Sequence, residues 1–376
     1  WASFFGNLKF VVIDEIHTYR GVFGSNVSNV VRRLRRIANH YGAQPTFVLC
    51  SATIHNPVEL AQGLINDEVA AVTSDGAPRG PRSFFFLNPA KLDETGMARR
   101  GPHGIARRLM VELVKRRVQT IAFSRTRLSS EVIHRYCKET LQQRNPTLAK
   151  ALRAYRGGYL PEDRREIERG IKEGKILGIS STNALELGID IGTLQACLIV
   201  GYPGTIASLW QQAGRAGRTG DRSLVVLIGH NSPIDQYLMN MPRYALDQNP
   251  ENAVIDPDNP HLVMYHLRCA AQEMPLPVDE VGLFGEAAPA IAEMLVESGE
   301  FARTKRNYYW KAHSYPAADI GLRNMTDAIY TIQELGTERI IGTVDETGAF
   351  YLVHSQAVYL HDAETYFVEK LDLEKK

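Results

Sequence analysis

The sequence predicts an α/β fold, parallel sheets layered with helices in two lobes, followed by a short helical module and a small β-rich region. Three observations carry this reading. Apolar runs recur at Phe10–Ile13, Thr46–Cys50, Thr120–Phe123, Ile176–Ile179, Ala196–Val200 and Leu224–Ile228. They are rich in Val, Ile, Leu and Phe without polar alternation, as parallel strands covered on both faces are. Helix-compatible stretches separate them, at Ser28–Tyr41, Gly104–Arg117, Ser129–Gln143 and Pro161–Glu173, and strands alternating with helices imply a parallel sheet. Third, the stretch Thr73–Arg82 gathers Pro, Gly and Arg in the string SDGAPRGPR, which reads as a linker between two lobes.

Taken in order, residues 1–75 form one lobe and 76–232 a second. Beyond 232 the rhythm changes. Pro242, Pro250, Pro257, Pro260, Pro275 and Pro277 punctuate helical stretches at His261–Gln272 and Glu286–Ser298, and Gly299–Ala312 reads as a hairpin carrying Tyr308, Tyr309 and Trp310. Helices followed by a hairpin predict a winged-helix-like module over 233–318. Strand-like runs at Ile329–Gln333, Arg339–Val344, Ala357–Leu360 and Tyr366–Val368 predict a small β-rich domain over 319–376.

Composition narrows the function classes. Of 376 residues, 43 Lys and Arg stand against 42 Asp and Glu, a net charge of +1, which rules out a uniformly basic coat for nucleic acid. The longest strongly apolar run, Leu224–Ile228, is far short of the roughly 18 residues that cross a bilayer, so no membrane partner is expected. Cys50, Cys137, Cys197 and Cys269 are widely spaced with no CxxC pair, which argues against a zinc site or a disulfide framework and for reduced thiols in an intracellular protein. Two basic clusters remain, Arg32, Arg33, Arg35 and Arg36 on one helix and the stretch Arg99–Arg117. Each reads as a solvated helix face, with a track for DNA backbone as the sharper alternative. The hairpin aromatics read equally as a wedge that stacks on bases and as the module's own core.

The chemistry lies at the ends of the apolar runs. Asp14-Glu15-Ile16-His17 directly follows the first, where an open parallel sheet places its ligands. A carboxylate there can hold Mg²⁺ through water, and a second can orient or deprotonate an attacking water. Ser51-Ala52-Thr53 follows the second run. Ser181-Thr182-Asn183-Ala184-Leu185-Glu186-Leu187-Gly188-Ile189-Asp190 follows Ile176–Ile179, and Gln211-Gln212-Ala213-Gly214-Arg215-Ala216-Gly217-Arg218 comes after Tyr202-Pro203-Gly204. Arg215 and Arg218 are three apart, so both can leave one helix face, and two guanidinium groups suit the spread charge of a phosphoryl-transfer transition state.

In that order and spacing, DEIH, SAT, TNALELGID and QQAGRAGR resemble motifs II, III, V and VI of superfamily-two helicases over residues 10–230. Those enzymes have two RecA-like lobes. More narrowly, Asp14–Ser28, Ala154–Gly158, Gly188–Arg218, HLRCAAQEMPL at 266–276 and His354–Glu364 resemble the mitomycin repair factor A type of bacterial DNA helicase, whose fungal relatives are RecQ-like. In the last stretch Ser355-Gln356 and Asp362-Ala363 depart from the Pro-Gly and Gln-Gly of that pattern.

The resemblance implies roles. Asp14 holds Mg²⁺ through water, Glu15 positions the attacking water, and His17 links the ATP site to the second lobe. Gln211 sits near the γ-phosphate, Arg218 is the arginine finger and Arg215 its phosphate-contacting neighbour. Gly188 and Asp190 contact the nucleotide, and Ser51 and Thr53 couple hydrolysis to strand movement. Ser124, Arg125, Arg156, Gly157 and Thr182 contact the backbone of the bound strand. The cofactors are then ATP and Mg²⁺, and the partner is single-stranded or forked DNA. The activity is ATP-driven 3′-to-5′ movement in DNA repair, in the cytoplasm at the nucleoid.

No GxxxxGK[ST] string occurs, and the chain starts at Trp1. The sequence therefore reads as a fragment whose first lobe lacks its phosphate-binding half and which hydrolyses little ATP alone. The four-cysteine zinc module common in such helicases is expected beyond Lys376. Two alternatives stay open: a binding protein that kept the helicase shape without its engine, and a motor that runs on RNA.

Overall fold

A computed structural model describes the whole chain except residues 53, 75, 77–79, 95–97, 188–190, 193, 218–221, 320, 323–328, 338 and 363, and the side chains of 319 and 347. The chain forms two compact units, each discontinuous in sequence. One joins Trp1–Ser74 to Glu251–Asp327, and the other joins Asp75–Pro250 to Ala328–Lys376. Each predicted lobe is thus bonded to one of the predicted accessory modules.

The first unit opens with α1 (Ala2–Gly6), β1 (Phe10–Ile13), α2 (Gly21–His40), β2 (Thr46–Leu49) and α3 (Pro57–Ile65). Strands β1 and β2 pair in parallel, Phe10 opposite Thr46 and Ile13 opposite Leu49. Ile13, Ile16, Val31, Leu60 and Leu64 make the core where the strands meet the helices, whereas Phe10, Val12 and Val48 are exposed.

The second unit contains β3 (Arg82–Leu87), α4 (Pro102–Lys115), β4 (Thr120–Ser124), α5 (Arg127–Gln142), α6 (Pro146–Ala149), β5 (Leu152–Tyr155), α7 (Pro161–Lys172), β6 (Gly178–Ser181), β7 (Ala196–Val200), α8 (Ile206–Ala213), β8 (Ser223–Ile228), α9 (Pro233–Asn240) and α10 (Pro242–Asp247). Its six strands form one sheet in the order β3-β8-β7-β4-β6-β5, all parallel. Strands β4, β6 and β7 are buried throughout, which is why their sequences carry no alternation. Two core clusters, one around Phe123, Ile179 and Leu209 and one around Met110, Ile133 and Leu198, lie among the strands and helices.

The sequence reading missed β3 and β5. The run Ser83–Leu87 was passed over because its amino end abuts the Pro/Gly linker, and LRAY is too short and mixed to stand out. The expected strand Ile176–Ile179 lies two residues later, at Gly178–Ser181. Buried Ser180 and Ser181 escape an apolar scan, and Ser180 is accommodated by hydrogen bonds with Ser130, its hydroxyl donating to the Ser130 carbonyl at 2.8 Å.

The module after residue 250 belongs to the first unit. It contains α11 (Pro260–Glu273), β9 (Leu276–Pro277), α12 (Ala288–Glu297), β10 (Phe301–Arg303) and β11 (Asn307–Trp310), with an antiparallel sheet ordered β10-β11-β9. Its core is Leu267, Phe284, Ile291, Leu295, Phe301 and Tyr308, with Trp310 packed against it. The hairpin aromatics therefore divide: Tyr308 and Trp310 are core, and Tyr309 is exposed. The unit that holds the six-stranded sheet continues to Pro250, beyond the expected end at 232, because α9 and α10 pack on it.

The arginines of α2 are neither a solvated face nor a track. Arg32 and Arg36 are buried, the latter 3% exposed. Arg36 donates to the carbonyls of Ala270 and Met274, both at 2.8 Å, and to Glu280 at 2.9 Å. Its guanidinium thus caps the carboxyl end of α11, where unpaired carbonyls and the helix dipole favour a cation. Arg32 pairs with Asp258 at 2.8 Å and Arg33 with Glu273. Arg35 turns the other way, to the Ile65 carbonyl at 2.7 Å and to Asp67 at 2.8 Å.

The small domain belongs to the second unit. It contains β12 (Ile329–Gln333), β13 (Ile340–Asp345), α13 (Glu346–Leu352), β14 (Val358–His361) and β15 (Glu364–Phe367), as two antiparallel hairpins around Tyr330, Ile341, Val344 and Tyr359.

Two expectations follow. Arg36→Ala destabilises the protein by about 3 kcal/mol, the cost of breaking a buried, fully bonded charge, whereas Arg35→Ala, whose ion pair is half exposed, costs below about 1 kcal/mol. Urea denaturation reads both. Burial also holds His134 and His266 down to about 3, and both rings are neutral in the fold. The unfolded chain binds those protons near pH 6.5, so this stability is complete above pH 6.5 and is lost as the pH falls from there toward 3. The loss is about 2 kcal/mol per histidine by pH 5. His134→Leu removes its share of the acid sensitivity in urea denaturation at pH 7 and pH 5.

Candidate functional site

In the first unit the acids follow β1 directly. The Asp14 carboxylate is exposed, with Oδ1 accepting the Glu15 N–H at 2.8 Å. Glu15 takes a left-handed backbone, φ 53°, and its carbonyl starts a 3-10 turn over Ile16–Thr18. That kink ends the strand and stands both acids at its carboxyl end. The next strand is stitched to the same place, because the Cys50 N–H donates to the Ile13 carbonyl and the Ile16 N–H to the Cys50 carbonyl, both at 2.9 Å.

His17 is buried, and its Nδ1 accepts the Ala52 N–H at 3.4 Å, with Glu15 Oε2 at 3.5 Å from the same nitrogen. Burial lowers its pKa below the ordinary value, outweighing the pull of Glu15. The ring is therefore neutral near pH 7 with Nδ1 as an acceptor, and the Ala52 bond governs its orientation. This joins the DEIH segment to the SAT segment. Ser51 is exposed beside it, and Thr53 lies outside the described residues.

In the second unit the expected residues fall into two groups. Strand register sets Phe123 against Ser181 and Ser181 against Tyr155, so β4, β6 and β5 end level. Ser124, Arg125, Thr182 and Arg156 therefore leave one carboxyl edge. Arg125 is exposed. Thr182 is buried and caps the turn after β6 by accepting the Ala184 N–H at 3.5 Å. Ser124 is buried as well.

Gln211 and Arg215 belong to a different edge. Helix α8 carries the chain from the carboxyl end of β7 back to the amino end of β8, where the Gly217 N–H donates to the Leu194 carbonyl at 3.0 Å. Gln211 is half-buried, and its Nε2 has no hydrogen-bond partner among the described residues. Arg215 is buried and donates through Nε to the Glu186 carbonyl at 3.0 Å. Gly188, Asp190 and Arg218 lie outside the described residues.

Arg156 is not open to a bound strand. It is 4% exposed and enclosed by the small domain. Its guanidinium lies 5.1 Å from the Tyr159 ring and 4.7 Å from the Tyr359 ring. It donates to the Tyr359 hydroxyl and, at 2.8 Å, to His361 Nδ1. Burial, then Arg156 itself, lowers His361 to about 4, so the ring meets the guanidinium as a neutral acceptor. Buried Glu131 supplies the negative charge, 3.6 Å from Arg156 Nε.

The backbone closes against the same face, with the Thr343 N–H donating to the Gly158 carbonyl at 3.0 Å. A Cβ on Gly158 would stand 2.8 Å from the Thr343 carbonyl oxygen, whereas one on the exposed Gly157 would meet nothing within 4 Å. The glycine that the fold requires here is Gly158, the neighbour of the candidate contact Gly157.

Glu186 was also missed. Its signal was an acid among apolar neighbours in TNALELGID, where only a well-bonded carboxylate is tolerated.

The donor set suits magnesium nucleotide. An exposed carboxylate at the carboxyl end of a parallel strand is an oxygen donor of the kind Mg²⁺ takes through water. Among the described residues, no group of three or more His, Cys, Asp or Glu side chains forms a ready metal cage, and no helix is long and apolar enough to cross a membrane.

Comparison with known proteins agrees with this layout. The DEAD/DEAH box helicase family matches residues 1–61, and the helicase conserved C-terminal domain matches residues 105–220. The chain carries the domains of a superfamily-two helicase. The winged helix domain of the ATP-dependent helicase HRQ1 matches residues 255–325, so the helical module is a winged helix and the parallel sheets are those of RecA-like helicase lobes. The ATP-dependent helicase YprA of Bacillus subtilis is 46% identical over 380 residues, which takes in 100% of this chain and 50% of YprA. The ATP-dependent helicase hrq1 of Schizosaccharomyces pombe is 33% identical over 385 residues, 100% of this chain and 36% of that protein. A crystal structure of the DUF1998 helicase MrfA bound to DNA superposes with a TM-score of 0.94 at 45% identity, covering 100% of this chain and 50% of that one. The chain thus spans half or less of the length of these relatives.

The helicase domains and their small domain give one expectation here. Gly158→Ala forces the Thr343 carbonyl to move and loosens the small domain, at about 1–3 kcal/mol, while Gly157→Ala has no such effect. Limited proteolysis, scored on cleavage between residues 319 and 376, distinguishes the two variants.

Proposed function

We propose that the protein is an ATP-driven DNA helicase, of which this chain supplies catalytic acids, the second RecA-like lobe and the winged helix. One observation carries the reading most directly. A single sheet bears candidate strand-holding groups at its carboxyl edge, Arg125 and Thr182, and a candidate phosphate-sensing group where α8 returns to its amino edge, Gln211, close in sequence to Arg215, which is buried and bonded to the Glu186 carbonyl. A motor needs both on one body, so that a change at the nucleotide moves the grip on the track. A pure binding module has no use for the second group.

Magnesium ATP, when bound, supplies the phosphoryl group whose transfer to water drives the cycle. Asp14 would hold the ion through water, and Glu15, beside it on the kinked strand end, would orient the attacking water and take its proton. His17, fixed as a neutral ring on Ala52, would report the state of these acids to the Ser51–Thr53 segment. Gln211 and Arg218 would meet the γ-phosphate, and an arginine so placed is worth about 10³–10⁵ in rate in related phosphoryl transfers. Gly188 and Asp190 would contact the nucleotide.

On the track side, Arg125 and Thr182 would hold phosphate oxygens, contacts that position a strand without reading its sequence. Arg156 is better suited to docking the small domain than to DNA, since it is buried and one of its nitrogens is bonded to Tyr359 and His361. The preference for DNA is supported by the resemblance and by the DNA bound in the MrfA structure, whereas 3′-to-5′ movement, a role in repair and work at the nucleoid rest on the resemblance alone.

The test is steady-state ATP hydrolysis by the full-length protein with and without single-stranded DNA. Turnover is expected to rise with DNA and to fall at least about 100-fold in Glu15→Gln and Arg218→Ala, with DNA binding retained. Equal stimulation by single-stranded RNA would move the track to RNA, and absence of turnover in the wild type would leave the binding-protein reading.

A further inference from the structure

Glu186 makes more bonds to the Gln211–Arg218 segment than any role so far considered requires. Its carboxylate is in a residue only 7% exposed, just after the turn that follows β6. Oε2 accepts the Ser208 hydroxyl at 2.7 Å and Gln212 Nε2 at 2.9 Å. Ser208 and Gln212 are four apart on α8, hence on one helix face, and they also bond to each other at 3.2 Å. The backbone carbonyl of the same residue accepts Arg215 through Nε at 3.0 Å and through a second guanidinium nitrogen. One residue therefore grips the helix by its side chain and the arginine beyond it by its main chain.

We propose that Glu186 is a positioning residue for the nucleotide half of the second lobe. Holding Ser208 and Gln212 fixes the rotation of α8 about its axis, and with it the direction of Gln211, the adjacent residue. Holding Arg215 fixes the guanidinium and the backbone that leads to Arg218. Two and four residues further along its own segment come Gly188 and Asp190, so the same residue ties the two candidate nucleotide-contacting stretches together. A carboxylate suits the task because one of its oxygens accepts both a hydroxyl and an amide donor. A misplacement of about 1 Å at such a site costs up to about 100-fold in rate.

The assignment rests on the ATP-driven function proposed above. Its test compares kcat and KM for ATP, affinity for single-stranded DNA without nucleotide, and thermal midpoint, in the full-length wild type, Glu186→Ala, Glu186→Gln and Ser208→Ala. Glu186→Ala is expected to lower kcat at least about tenfold, with KM for ATP and DNA affinity within about twofold. Glu186→Gln keeps an acceptor oxygen for Ser208 and Gln212 and should recover kcat to within about threefold of wild type. Ser208→Ala, which removes one donor without a buried charge change, should lose about threefold and covers the case in which Glu186→Ala does not fold. Unchanged kcat in Glu186→Ala and Ser208→Ala overturns the assignment. So does an equal loss in Glu186→Gln and Glu186→Ala, or a parallel fall in DNA affinity. A wild type with no turnover overturns the assigned function and this role together.

Discussion

The first unit depends on a cap made by a helix that is distant in sequence. Arg36 of α2 closes the carboxyl end of α11 more than 230 positions later, bonding Ala270, Met274 and Glu280 at once. A buried guanidinium is costly to desolvate, and here the cost is offset because its donors meet carbonyls that the helix end leaves unpaired. Arg32 and Arg33 extend the same contact to Asp258 and Glu273. Polar bonds of this number set a unique register between winged helix and lobe that apolar packing alone would leave loose. The winged helix is thereby part of the first lobe in everything but sequence order.

The second unit repeats the device with different chemistry. Arg156 is boxed by the rings of Tyr159 and Tyr359, by neutral His361 and by Glu131. Cation–π contacts of this kind are stronger where water is excluded, and the buried carboxylate balances the charge. Each RecA-like lobe so carries its own accessory module through a buried arginine.

Within the sheet of the second lobe, topology sorts the chemistry. Strand ends carry the candidate nucleic-acid contacts, and the return of α8 carries the candidate phosphate contacts. The two sets are linked through the stretch after β6, which begins with Thr182 and continues to Glu186. In the first unit the shorter link from Glu15 through His17 to Ala52 has the same character.

Much of this was legible in the amino-acid sequence. Continuous apolar runs identified four of the six strands of the second lobe, and the order of DEIH, SAT, TNALELGID and QQAGRAGR marked the candidate chemistry, because strand ends and helix faces impose local spacings that a linear pattern preserves. What failed to show were features set by partners far along the chain. LRAY and RSFFFL became strands because a sheet had edges to fill, and Ser180 could be buried because Ser130 was waiting for it. Four arginines on α2 have the same look in sequence whether they face water, DNA or a helix end, since charge patterning records the donor and not the acceptor. Arg156 and Glu186 differ from solvated charges only through what encloses them. The sequence by itself determined the fold class, the order of the lobes and the residue types at the strand ends. Tertiary structure alone decided which charges are spent inside the molecule and which remain for a ligand, because desolvation and hydrogen-bond pairing depend on neighbours brought together only by folding.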